Sequence, residues 1–155
     1  MNHEIERKFL VKGDFRKQAT DMQLIVQGYI SSHPSRSVRV RKVGDKAYLT
    51  IKGIGDAAGV RRLEWEKEIS VADAEVLLGL CEPGRIEKNR YTIPVGGHMY
   101  VVDEFLGDNQ GLILAEVELM AEDEAYDKPD WLGDEVTGLE RYYNAMLIRI
   151  PYKSW

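Results

Sequence analysis

The chain has 155 residues, 44% of them apolar and 30% charged, with five prolines and a net charge of −5. That length can bury one well-formed core, and the composition excludes a disordered, collagen-like or disulfide-stapled protein. The acidic balance argues against a general nucleic-acid coat, although it says nothing about charge gathered inside a pocket. Cys81, the single cysteine, has no internal partner and agrees with a reducing compartment. No apolar stretch of signal-peptide length follows His3, and no later segment approaches twenty apolar residues. A soluble cytoplasmic protein is expected, with neither a membrane nor a nucleic acid as partner; a homodimer is compatible with the sequence.

In chain order, alternation at a period of two predicts extended segments at 3–11, 23–31, 37–43, 47–52, 60–69, 85–93, 99–105 and 112–120. Val43-Gly44-Asp45-Lys46 and Pro94-Val95-Gly96-Gly97 read as tight hairpin turns, and Gly107-Asp108-Asn109-Gln110-Gly111 as a longer one. Short connections between successive strands imply an antiparallel sheet. A short helix is expected after Gly13-Asp14. A second is expected over 71–80, with Ser70 as N-cap and Asp73 in its first turn. Thr137-Gly138-Leu139-Glu140 fits a capping box ahead of a C-terminal helix carrying Tyr142, Tyr143, Ala145, Met146 and Leu147. No repeat or linker interrupts the chain, so 1–155 reads as one domain.

The strand faces carry the functional information. Glu4, Glu6 and Lys8 share a side opposite Ile5 and Phe9, and Arg39 and Arg41 oppose Val38 and Val40. Thr50 and Lys52 oppose Leu49 and Ile51; Arg62, Glu64 and Glu66 oppose Leu63 and Trp65. Lys88 pairs with Arg90, Asp103 opposes Val102, and Glu116 and Glu118 oppose Ala115 and Val117. A half-wetted antiparallel sheet produces alternation of this kind for any one strand. A solvated face also mixes in Thr, Ser and Asn, whereas these faces are nearly pure Glu, Asp, Lys and Arg. Closing about eight strands into a barrel resolves the difficulty, with the apolar faces outward beneath the few helices and the charges lining a lumen. The expected class is α+β and mainly antiparallel β, an eight-stranded closed tunnel barrel with a charged lumen and a few flanking helices. Buried charges must be paired or bound to ions, and this mixture suits a polyanion held together with divalent metal.

Each Glu-x-Glu pair sends two carboxylates to one side about 6.5–7 Å apart, which suits Mg²⁺ or Mn²⁺. His3, His33 and His98 show no ligand spacing. Lys8, Arg39, Arg41, Lys52, Lys88 and Arg90 are side chains suited to gripping a row of phosphates. Phosphoryl transfer needs placement and charge neutralisation, with a metal-activated water as nucleophile. The sequence has no Gly-x-x-x-x-Gly-Lys loop and no Ser/His/Asp or Cys/His arrangement.

Glu4-Ile5-Glu6-Arg7-Lys8 has the form Glu-x-Glu-x-Lys, followed in order by Arg39-Val40-Arg41, Leu49-Thr50-Ile51-Lys52-Gly53 and Arg62-Leu63-Glu64-Trp65-Glu66. Lys88-Asn89-Arg90, Asp103, Glu116-Val117-Glu118 and the stretch from Gly133-Asp134-Glu135-Val136-Thr137 to Tyr142, Tyr143 and Asn144 complete the series. On these stations the chain resembles the CYTH domain, or triphosphate tunnel metalloenzyme, superfamily over nearly its whole length. The resemblance implies an eight-stranded tunnel that binds triphosphates with Mg²⁺ or Mn²⁺. It implies phosphate binding by Lys8, Arg39, Arg41, Lys52, Lys88 and Arg90, with Arg62 either on phosphate or paired to carboxylates. Metal binding falls to Glu4, Glu6, Glu116 and Glu118, and further to Glu64, Glu66 and Asp103. Lys8, Glu4, Glu6 and Glu118 are the expected catalytic set. Tyr142 and Asn144 belong to a C-terminal helix that either partly closes one mouth or packs in the core. The implied activity is hydrolysis of inorganic tripolyphosphate, or another triphosphate, to release phosphate. The alternatives are a class IV-type adenylyl cyclase and a phosphate-binding module without turnover. Intact Glu4, Glu6, Glu116 and Glu118 count against the module, because a pure phosphate binder gains nothing from so many carboxylates.

Overall fold

The computed structural model describes residues 2–155, and the strands are β1 (Asn2–Val11), β2 (Asp21–Ser31), β3 (Arg36–Val43), β4 (Lys46–Gly55), β5 (Arg61–Ile69), β6 (Ile86–Val95), β7 (His98–Phe105), β8 (Ile113–Glu118) and β9 (Leu132–Glu135). Short turns join β2 to β3, β3 to β4, β4 to β5, β6 to β7 and β7 to β8, and every pairing in the sheet is antiparallel. The β3–β4 and β6–β7 hairpins each turn on two residues, with Gly44 (φ 60°) and Gly96 (φ 59°) taking the left-handed position that a Cβ would oppose. The sheet order is β5-β4-β3-β2-β6-β7-β8-β1-β9, and β1 also pairs with β5. Eight strands therefore close on themselves, which removes the exposed edges an open sheet would present.

β1 joins the ends of this barrel. One of its edges pairs with β8 from Glu6 to Leu10, and the other takes β5 from Asn2 to Ile5 and β9 from Phe9 to Val11. Alternation does not predict the ninth strand, because Leu132-Gly133-Asp134-Glu135 is too short to show a period. It is held by backbone pairing to β1 across a register shift between Phe9 and Val11.

Helix α1 (Val71–Leu78) is capped by Ser70, whose hydroxyl accepts the Asp73 N–H, and it ends two residues before the expected limit. Its Ala74 and Leu78 pack on the outward-facing Val40 and Ala47. Loops, not helices, cover the outer apolar face over β1, β6, β7 and β8, whereas Ile51, Leu63 and Trp65 on the outside of β4 and β5 stay exposed. Phe15 and Trp131, from the segments after β1 and before β9, seal Ile5, Phe9, Ile93, Val102, Ala115 and Val117. Phe15 packs edge-on against Tyr91 and Trp131, and Trp131 against Tyr100. The expected helix after Asp14 is only a 3₁₀ turn, Arg16–Gln18, started by Asp14 Oδ1 accepting the Arg16 N–H.

The C-terminal capping box does not form. The Thr137 hydroxyl instead accepts the Lys8 backbone N–H at 2.9 Å, a bond made available because β9 ends beside β1. A 3₁₀ turn at Glu140–Tyr142 follows, and helix α2 (Asn144–Arg149) begins only after it. α2 blocks one end of the lumen. Its Leu147 joins the inward Ile86, Phe105 and Leu114 in a dry cluster. No helix among the described residues is long and apolar enough to cross a membrane.

Candidate active site

Because strand side chains alternate, the inward positions converge on a cavity of about 240 Å³. Glu4, Glu6, Lys8, Arg39, Arg41, Lys52, Arg62, Glu64, Glu66, Arg90, Glu116 and Glu118 all line it. The strand order sorts these charges. β8, β1 and β5 lie side by side and carry Glu116, Glu118, Glu4, Glu6, Glu64 and Glu66; β3 and β6, flanking β2, carry Arg39, Arg41 and Arg90. The lumen therefore has an acidic wall facing a basic arc.

Where the walls meet, acids and bases pair. Lys52 Nζ lies 2.6 Å from Glu4 and 3.6 Å from Glu64. Burial alone would lower the Lys52 pKa, but the Glu6 and Glu4 carboxylates overcome that and raise it. Glu66 lies 4.0 Å from Arg39 and 3.7 Å from Arg41, and the Thr50 hydroxyl donates to it at 2.9 Å. Arg41 is drawn down to about 10, first by burial and then by the neighbouring Arg39 and Arg90 cations. Both Arg39 Nε and Arg41 Nε are buried without a hydrogen-bond partner among the described residues. Buried guanidinium donors left open in this way are what an anion in the lumen would satisfy.

The acidic wall has the complementary deficit. Glu6 and Glu118 stand opposite one another in the β1–β8 ladder, as do Lys8 and Glu116. Like charges placed directly opposite are unfavourable. Glu118 is accordingly pushed above the usual glutamate range, by burial and then by Glu4 and Glu6. Among the described residues no three carboxylate, imidazole or thiolate groups already converge around an ion. The donors are nonetheless of the right kind: hard carboxylate oxygens, crowded on one wall, whose repulsion a divalent cation would relieve. Glu4, Glu6, Glu116 and Glu118 fit such an ion.

Two predicted residues are closed off from the cavity. Lys88 and Asp103, 1% and 2% exposed, share the inward face with Arg90 and are covered at the end that α2 blocks. Asp103 accepts Arg90 Nε at 2.7 Å and Nη2 at 2.8 Å, and Lys88 Nζ stands 2.7 Å away. Burial would raise the Asp103 carboxyl, but Arg90 and Lys88 hold it well below the usual carboxylate range. Lys88 itself is lowered by burial, which Asp103 only partly offsets. Asp103 is thus committed to two cations.

The lining also includes residues that strand alternation in the charged segments did not reveal. Tyr29 comes from β2, while Tyr143, Asn144, Ala145 and Met146 come from the C-terminal strap and α2. The Tyr143 ring centroid lies 5.3 Å from both Lys8 Nζ and Arg62 Cζ. Lys8 Nζ also donates to the Tyr142 carbonyl at 3.4 Å and stands 3.6 Å from Glu116. Past Arg62 and Tyr143 a second hollow of about 310 Å³ opens, lined by Pro34, Ile54, Asp56 and Glu140 among others.

An eight-stranded antiparallel tunnel with opposed acidic and basic walls defines a class of protein built to hold a polyanion and a cation together. The CYTH domain family model matches residues 2–145. An inorganic triphosphatase of Acetivibrio thermocellus is 49% identical over 156 aligned residues, covering 100% of this chain and 99% of that protein. One from Nitrosomonas europaea is 38% identical over 155 residues, covering 96% and 99%. A crystal structure of an inorganic triphosphatase matches with a TM-score of 0.66 at 34% identity, over 94% of this chain and 97% of that one. A putative adenylyl cyclase from Hippeastrum, 15% identical with a TM-score of 0.62 over 76% and 80% of the two chains, shares the fold alone. The chain belongs to the CYTH domain family.

Proposed function

We propose that this protein is a divalent-metal-dependent triphosphatase that hydrolyses inorganic tripolyphosphate to pyrophosphate and phosphate. The observation that carries the reading is the opposition of the two walls in one closed lumen. The basic arc of Arg39, Arg41, Arg90 and Lys52 grips the phosphate chain, and the carboxylates of Glu4, Glu6, Glu116 and Glu118 hold Mg²⁺ or Mn²⁺ against it. A bound divalent ion would supply Lewis-acid polarisation and activation of water. Lys8, beside Glu116 and beneath Tyr143, adds positive charge where the transferred phosphoryl group develops negative charge. Glu64, paired to Lys52, and Glu66, paired to Arg39 and Arg41, orient the phosphate-binding cations. Arg62, which opposes Glu4 in register and packs on Tyr143, grips the phosphate at the mouth. Lys88 and Asp103 support Arg90 from the plugged end of the lumen. Residues 1–155 act as one unit, because β1 and α2, from opposite ends of the chain, complete the same lumen.

The relatives of 49% and 38% identity, both inorganic triphosphatases, support this substrate. So does the cavity, about 240 Å³, which falls below the roughly 300–1,000 Å³ typical of sites that enclose a drug-sized organic ligand. The cyclase alternative has one observation in its favour, the hollow beyond Arg62, where a nucleoside would have to lie. Parallel assays of tripolyphosphate, ATP and thiamine triphosphate with Mg²⁺ or Mn²⁺ decide the matter. Tripolyphosphate should give the highest kcat/KM, and formation of cyclic AMP from ATP at a higher efficiency would reverse the assignment.

A further inference from the structure

Asn144 opens α2, at the plugged end of the lumen, and is half-buried. Its Oδ1 accepts a hydrogen bond from Lys88 Nζ at 3.3 Å. Lys88 has a second partner, Asp103 Oδ2 at 2.7 Å, and that same oxygen accepts Arg90 Nη2 at 2.8 Å. The remaining Asp103 oxygen takes Arg90 Nε. Of these three charged groups Arg90 alone lines the cavity, so its orientation depends on a carboxylate shared with Lys88.

A buried ammonium offers three donors and cannot leave them unmet cheaply. Around Lys88 the surroundings are largely dry, with the Phe105 ring centroid 5.3 Å away. Its hydrogen-bond partners among the described residues are Asp103 and Asn144. Removing the Asn144 acceptor leaves the ammonium to draw harder on Asp103 Oδ2, in direct competition with Arg90.

We propose that Asn144 is a positioning residue: by holding Lys88 it keeps Asp103 clamped on Arg90, and so sets the guanidinium that meets the phosphate chain. The effect acts through substrate affinity and links the plug helix to the basic arc. This inference rests on the reading of the lumen as a triphosphate site.

The test compares Asn144→Ala with Asn144→Gln, which keeps a neutral amide oxygen for Lys88 Nζ. Tripolyphosphate binding is measured by calorimetry in chelator, and KM and kcat are measured with Mg²⁺. Loss of one hydrogen bond to a charged group predicts that Asn144→Ala weakens binding about tenfold, with the effect on KM rather than kcat. The loss should disappear in an Arg90→Ala background, because Asn144 acts through Arg90. Asn144→Gln should remain within about threefold of the wild type. If the alanine variant fails to fold, Asn144→Ser, too short to reach Nζ, takes its place. Unchanged affinity on losing the acceptor, an equal loss without Arg90, or a glutamine variant as weak as the alanine one overturns the inference. A wild-type protein that neither binds tripolyphosphate nor turns it over with Mg²⁺ overturns the underlying site reading instead.

Discussion

Glu6 and Glu118 face each other across the β1–β8 ladder, and Glu4 adds a third carboxylate near Glu118. A carboxyl whose folded-state pKa is raised binds protons more readily in the native protein than in the unfolded one. Its ionisation therefore costs stability as the pH rises through that raised value. Glu118→Gln should raise the Tm of the metal-free protein at neutral pH while lowering metal-supported turnover by about a hundredfold or more. A lower Tm would contradict repulsion among these carboxylates, and unaltered turnover would show that Glu118 is not a metal ligand. Asp103 has the opposite sign. Its lowered pKa supplies stability that is present above the unfolded aspartate value of about 3.9 and lost as the pH falls below it. Asp103→Asn strands the buried Lys88 ammonium and removes the bidentate partner of Arg90, and should cost about 3–5 kcal/mol in urea denaturation. The cost should be the same with chelator as with Mg²⁺, because Asp103 serves Lys88 and Arg90; a cost that appears only with metal would make it a ligand.

At the scale of elements, the eight barrel strands were legible from alternation, and all but β2 set charged positions against apolar ones, as in Glu4-Ile5-Glu6 and Glu116-Val117-Glu118. Periodicity fails where backbone does the work: β9 has four residues, and its role is to complete the edge of β1. It also fails where a side chain is diverted, as with Thr137, whose Thr-x-x-Glu spacing is right but whose hydroxyl is used by Lys8 N. Tyr143 reaches the lumen from an irregular strap and Asn144 from the first position of α2, so strand alternation does not place them beside Lys8, Arg62 and Lys88. The strap is packed tightly. Gly59 (φ +72°) lies against Gly138, and a Cβ there would collide with the Gly138 Cα. Gly59→Ala should therefore destabilise the protein by at least about 1–2 kcal/mol from the backbone conformation alone, read from denaturant midpoints. It should also raise KM by displacing Tyr143. At the other end, Leu147→Ala should cost about 2–5 kcal/mol, since Leu147 is fully buried against Ile86 and Leu114.

On the scale of the whole molecule, closing the barrel is what allows so many like charges to share one interior. The acidic wall and the basic arc are each unfavourable alone, and each is stabilised by the charge that the other helps to bind. Ligand binding should therefore stabilise the fold as a unit: tripolyphosphate with Mg²⁺ at a hundred times its Kd should add about 2.7 kcal/mol. The most direct test follows tripolyphosphate by ³¹P NMR in the presence of the purified protein. With Mg²⁺ the signals of the chain should give way to pyrophosphate and orthophosphate in equal molar amounts, and the conversion should stop on adding chelator. A substrate that persists unchanged with metal, or cleavage that continues in chelator, would contradict the account.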